Sequence, residues 1–342
     1  MNLSKALILS AVILAFVVGV SAQEKAPLKL LHSTPLPELH DGDFDHLTPD
    51  VAGNRLFVTA EENSKVLVFD LKTNKLIHTI DDLKAPHSML YRADLKKLFV
   101  VDSDLGEVKI YDTDSDSYKP AGSIKVREGA DASGYDPSTK YLYVVNGGKD
   151  AKLPNAYITV IDVAAGKTVG EIKIDSNDVE GMVFEKSGPR MFVNVRGKNA
   201  VEVYDRTNRA LMATWPIAQE GKNPTAIAFD EGAHRLFMGS RVPGKLIVLD
   251  SDSGKIVATY PAAAMVDDMA YDGSNKRIYF AGTEFLDVFH ENDADHYDRI
   301  GHIPTSFRAK TGVLVPELNR FYLAVPHHEK QTAELRVYEV LP

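Results

Sequence analysis

The chain has 342 residues, 44% of them hydrophobic, a formal net charge of −9 and no cysteine. The length suffices for one large core or two ordinary ones, and the lack of cysteine excludes disulfides and a cysteine-linked lipid anchor. The acidic balance, with no basic cluster against it, excludes a phosphate backbone as partner, so no nucleic-acid binding is expected.

Residues 1–22, MNLSKALILSAVILAFVVGVSA, carry a charged start at Lys5, an apolar run over 6–20 and a small-residue cleavage signal ending at Ala22. That order reads as a secretory signal peptide, so a periplasmic or secreted protein is expected. Its removal takes the charge from −9 to −10, because Lys5 is its one charged side chain. No later apolar stretch reaches membrane-spanning length, so a soluble mature chain, a monomer, is expected over 23–342.

The segment LKLLHSTPLP (28–37) is strand-like. DGDFDHLTPD (41–50) follows, with four carboxylates and His46 before RLFV at 55–58. Asp41, Asp43 and Asp45 imitate the start of a calcium loop, but His46 stands where that loop needs Gly and Ala52 where it needs the bidentate Glu. DTDSDS (112–117) fails for the same reasons, with Ser117 and Ser123 at those places.

RLFV then recurs, as KLFVV (97–101), YLYVV (141–145), RMFVN (190–194), RLFMG (235–239), RIYFA (277–281) and RFYLA (320–324), making seven copies. Each precedes a second alternating run: VLVFD, VKIYD, ITVID, VEVYD, LIVLD, LDVFH and LRVYE. The β-branched and aromatic alternation predicts strands. Turn clusters such as DLKTNK, DVAAGK, DRTNRA and DSDSGK follow. In these the Asp side chain accepts from turn amides, and Gly or Asn near the end takes positive φ. A further short strand, such as LIHTI (76–80), closes each unit. Four strands in about 40–50 residues, repeated, predict an all-β, seven-bladed β-propeller. The last blade stops at its third strand, so the strand near 28–37 is expected to complete it and close the ring in a single domain.

KYLYVVNGGKDAKLPNAYITVIDVAAGKTVGEI and NRLFVTAEENSKVLVFDLKTNKLIHTI resemble the YVTN-repeat (YncE-like) β-propellers of bacteria, over essentially the whole mature chain. The resemblance implies the fold and leaves the activity open, since propellers host many.

The repeats also act as a ruler. Eleven positions before the first core residue of each RLFV-type run stand Asp45, His87, Asp131, Glu180, Thr225, Asp267 and Lys310. The next residues are His46, Ser88, Ala132, Gly181, Ala226, Asp268 and Thr311. Innermost strands line a propeller channel, so these positions are expected to ring one mouth, with His46 turned away from Asp45 by simple alternation. Asp45, Asp131, Glu180 and Asp267 are candidate ligands of a divalent cation, calcium if oxygen dominates, zinc if His46 or His87 takes part. Lys310, with Arg308 nearby, could supply the balancing charge instead. Two readings stand: a solvated polar lining, and a site for an ordered small ligand or metal.

Loops between second and third strands share that mouth, and those at 146–156 and 326–334 are long. His327, His328 and Glu329 in the latter offer a metal or proton-transfer group, but a surface loop is expected, because neighbours on a strand point to opposite sides. ENDADHYD (291–298) reads as a solvated turn at the other mouth.

Two functions follow. One is an exported scaffold that binds a protein or small ligand at the loop-rich face and channel mouth, with or without a divalent cation. The other comes from VEGMVFE (179–185), which resembles the Glu-Gly strand start of gluconolactonase-like propellers. That resemblance implies a metal-dependent lactone or ester hydrolase. Glu180, Asp131, Asp267 and Asp45 would be its ligands and His46 or His87 its base. The chain departs from that family at the fifth blade, where Thr225 stands and Asn223 lies two residues off the register.

Overall fold

The computed structural model describes residues 26–342; the expected signal segment lies outside the described residues. Each predicted repeat forms a four-stranded antiparallel sheet, and seven such sheets make up the ring. Blades 1 to 6 run over 47–80, 86–125, 133–173, 182–216, 222–261 and 268–304. Blade 7 takes three strands from 311–340 and its fourth from Leu28–Pro35. That strand pairs Leu28 with Val340 and Pro35 with Glu334, as the orphan segment at 28–37 predicts.

Burial follows strand rank within a blade. The second strand of blade 1, Arg55–Ala60, is buried at every residue, because it lies between two neighbouring sheets. The fourth strand, Leu76–Ile80, shows a mostly open face to solvent. The core is therefore divided among the blade interfaces. Leu56, Phe69, Tyr322 and Leu335 join blades 7 and 1, and Phe57, Leu98 and Tyr111 join blades 1 and 2. Equivalent apolar clusters fill the remaining gaps.

The turns behave as their Asp residues require. Asp70 Oδ1 accepts from the amides of Lys72 (3.0 Å) and Thr73 (2.7 Å). Asp162, Asp205 and Asp250 do the same in their blades. The positive-φ residue is the fourth after each Asp: Asn74, Gly166, Arg209 and Gly254. The DRTNRA turn therefore corrects the expectation of Gly or Asn: loop length places the left-handed residue at Arg209, one beyond Asn208. At Gly254, φ is +73° and an added Cβ would lie 2.2 Å from the Trp215 ring. Gly254→Ala is expected to cost about 1–3 kcal/mol in chemical denaturation. A loss below about 0.5 kcal/mol would mean that Trp215 moves aside freely.

Among the described residues, no helix is long and apolar enough to cross a membrane.

Candidate functional site

The ring positions sit on a recurring irregularity of the first strand. In blade 1 the Asp45 amide donates to Thr59 O (3.2 Å), while the Thr59 amide donates to His46 O (3.0 Å). Two residues thus oppose one. The same pattern sets Asp131 and Ala132 against Val145, and Glu180 and Gly181 against Asn194. In blades 2 and 5 the register slips by one residue over His87–Ser88 and Thr225–Ala226. This is a β-bulge, which re-aims side chains at the rim of a sheet. It explains why simple alternation fails at His46: Asp45 and His46 both line the channel mouth.

The mouth is a cavity of about 430 Å³. Asp45, His46, His87, Asp131, Glu180, Asp267, Asp268 and Lys310 all line it. Arg308 does not; it is held on the rim by Asp43 (2.6 Å), with Asp41 and Glu62 at 3.5 Å. His328 is also outside, with Nδ1 3.4 Å from Asp41 and its ring against Phe307.

One half of the mouth gathers carboxylates around imidazoles. His87 Nδ1 lies 2.7 Å from Asp45 Oδ2 and 3.3 Å from Asp131 Oδ1, and its Nε2 lies 3.5 Å from Glu61 Oε1. His46 Nδ1 lies 3.0 Å from Asp268 Oδ1, whose other oxygen accepts from the Gly312 amide at 2.9 Å. Burial disfavours both imidazolium ions, but the carboxylates outweigh it. Asp45 and Asp268 raise His46, and Asp131 and Asp45 raise His87, well above the usual 6.5. Burial also works against ionised Asp45 and Asp131, yet the imidazoles hold both below the ordinary aspartate value. Burial, helped by Asp45 and Asp131 and opposed by His87, pushes Glu61 up to about 7. Burial also raises Asp268, which His46 only partly offsets.

The other half gives each carboxylate its own cation. Glu180 pairs with Arg196, and Asp267 pairs with Arg241 and, at 2.5 Å, with Lys310. Lys310 also lies 3.4 Å from Asp43. Burial opposes charge at Asp267, but Lys310 and Arg241 hold its pKa down. Burial and Asp131 push Glu180 up to about 7 against the pull of Arg196.

Of the four carboxylates read as a ligand set, the structure brings Asp45 and Asp131 to one imidazole and ties Glu180 and Asp267 to guanidinium and ammonium groups. Glu61, Arg196 and Arg241 went unnoticed in the sequence. They follow the first core residue of their repeats by five positions, so the same ruler run forwards reaches all three. At the far end of the channel a recess of about 920 Å³ is lined by Tyr135, Phe184, Phe229 and Tyr271 together with Asp136, Glu185 and Asp230.

No family model matches the chain, and no curated protein matches it. Solved structures do. A chain in the crystal structure of the mitotic checkpoint complex is 16% identical, with 99% of each chain covered and a TM-score of 0.73. Hydrazine synthase from Kuenenia stuttgartiensis is 15% identical, covering 84% of this chain and 93% of that one, with a TM-score of 0.70. The WD40 repeats of RRP9 are 11% identical, covering 92% and 98%, with a TM-score of 0.75. At these identities the likeness is one of fold: the chain is a seven-bladed β-propeller.

Proposed function

We propose that this is an exported propeller of the YVTN-repeat type that binds a small polar ligand in its ionic channel mouth. The observation that carries the reading is the 430 Å³ cavity whose charged side chains are set by bulged strand starts around the ring. A rigid scaffold with fixed charges at its centre and variable loops above is suited to selecting a ligand by charge pattern. A protein partner on the same loops fits this reading too, since one similar propeller belongs to a checkpoint complex.

Export is supported by the Lys5-plus-apolar start and the small residues ending at Ala22. Cell fractionation with intact-mass measurement is expected to find the protein in the periplasmic or secreted fraction with Gln23 as its first residue; recovery in the cytoplasm with residues 1–22 retained would remove the export reading.

Ligand binding is tested by thermal shift against cationic, anionic, zwitterionic and sugar probes. A stabilising class is expected, and Ser133→Trp, which fills the cavity wall, is expected to abolish its shift while the fold is retained. Hits that survive Ser133→Trp would move binding elsewhere.

A second reading, a metal-dependent lactone or ester hydrolase, is favoured by one observation. Ligand atoms of Asp45, His87 and Asp131 lie within 4.8 Å of one another. A divalent cation there would polarise a carbonyl and acidify a bound water. Lactone hydrolysis abolished by chelator would support it; hydrolysis unaffected by chelator would not.

A further inference from the structure

We propose that Asp45, His87 and Asp131 bind one divalent transition-metal ion of the zinc class, with Glu61 as the carboxylate that receives the Nε2–H of His87. The inference rests on the channel mouth being the binding site. It commits to a ligand set centred on an imidazole rather than on four carboxylates.

Geometry comes first. Ligand atoms about 2.0–2.2 Å from a shared ion stand about 3.0–3.4 Å apart at coordination angles of 90–109°. His87 Nδ1 is 2.7 Å from Asp45 Oδ2 and 3.3 Å from Asp131 Oδ1, close to that spacing, and the ligand atoms of all three residues lie within 4.8 Å of one another. With Nδ1 on the ion, Nε2 must carry the ring proton, and it faces Glu61 Oε1 at 3.5 Å. A carboxylate behind a ligating imidazole fixes its tautomer and orientation.

Charge is the second, independent observation. Among the described residues, the ion-pair contacts of Asp45, Asp131 and Glu61 are to histidines. Glu180 and Asp267, by contrast, hold Arg196, Arg241 and Lys310 among themselves. An imidazole, unlike a guanidinium, can give up its ring proton for a metal ion that takes its place between the carboxylates. One nitrogen among the donors favours a borderline ion over calcium, which takes six to eight oxygens.

The frame is set in advance. Ser88 Oγ donates to the carbonyl of Asp131 at 2.6 Å, tying blade 2 to blade 3 beside the ligands. The bulge in blade 1 fixes Asp45. On binding, the metal–nitrogen bond forms as the Nδ1 proton of His87 leaves to solvent, and a further position is left for water or a ligand oxygen.

The test is calorimetric titration of metal-free full chain with zinc chloride and, separately, calcium chloride. One zinc ion per chain is expected, bound about 100-fold or more tighter than calcium. His87→Ala is expected to weaken zinc about 100-fold or more, Glu61→Gln about tenfold, and His234→Ala, on the exposed surface, not at all. Circular dichroism and melting verify each fold; Glu61→Gln keeps the test decisive should His87→Ala not fold. Absence of zinc binding, tighter calcium binding, or equal zinc affinity in wild type, His87→Ala and Glu61→Gln would overturn the proposal. If zinc fails while a Ser133→Trp-sensitive organic ligand still binds, the metal is wrong and the channel-mouth reading stands; zinc bound with no organic ligand supports the metal and removes the small-organic-ligand reading.

Discussion

A chain shortened by everything up to Pro37 is expected to lose its cooperative melt, or to melt more than about 10 °C lower, and to aggregate. Leu28 and Leu36 are 4% and 5% exposed, and burial of each contributes roughly 1.5–3 kcal/mol. The ladder from Leu28–Val340 to Pro35–Glu334 goes with them, as does the bond from the Leu36 amide to Ala333 O at 2.7 Å. The sum rivals the whole stability of an ordinary domain, about 5–15 kcal/mol. It would also bare Glu334–Val340 as an unpaired edge ready to pair with another chain. A peptide of residues 26–37 supplied in trans is expected to restore the melt. A shortened chain melting within about 2 °C of the full one would show that the ring closes without this strand.

The second large effect is on pH dependence. Burial and Asp131 raise Glu180 from 4.5 to about 7 despite Arg196. A carboxyl raised in the native state is favoured there while protonated. Its contribution is fully present below about 4.5 and is lost as pH rises through about 7. The loss amounts to roughly 3 kcal/mol, on the order of 5 °C for a chain of this size. Glu180→Gln, neutral at every pH, is expected to match wild type at pH 5 and to melt higher at pH 8. Parallel melting curves for the two proteins between pH 5 and 8 would mean that Arg196 keeps Glu180 ionised throughout.

The ring was legible in the sequence because each blade repeats one hydrophobic pattern and packs against its copies. Leu56, Leu98, Leu142 and Met191 are all buried, so a fixed count back from them lands at a fixed place. The orientation of His46 was not legible, because a bulge changes which way a residue points without changing the pattern around it. Lys310 was legible as a balancing charge, whereas Arg196 and Arg241 lie five positions beyond the first core residue of the strand that follows. Arg196 follows the strand Arg190–Val195 in the blade of Glu180, and Arg241 reaches Asp267 from the neighbouring blade. Composition marked four carboxylates as equals; the structure separates the two that share His87 from the two that carry cations of their own.

The bulged strand start has a consequence for how such a protein could change. Blades 1 to 5 present a two-residue socket at the bulge, and blade 6 offers an equivalent pair at its strand start. Some sockets hold charge, as Asp45–His46 and Asp267–Asp268 do, while Thr225–Ala226 presents none. Ala132 and Ala226, at the second socket position, belong to the blade interfaces, so exchange is open at the first position, which faces the mouth. The channel mouth is thus a panel of exchangeable contacts, and Thr225, which lines it without charge, is the place to add one.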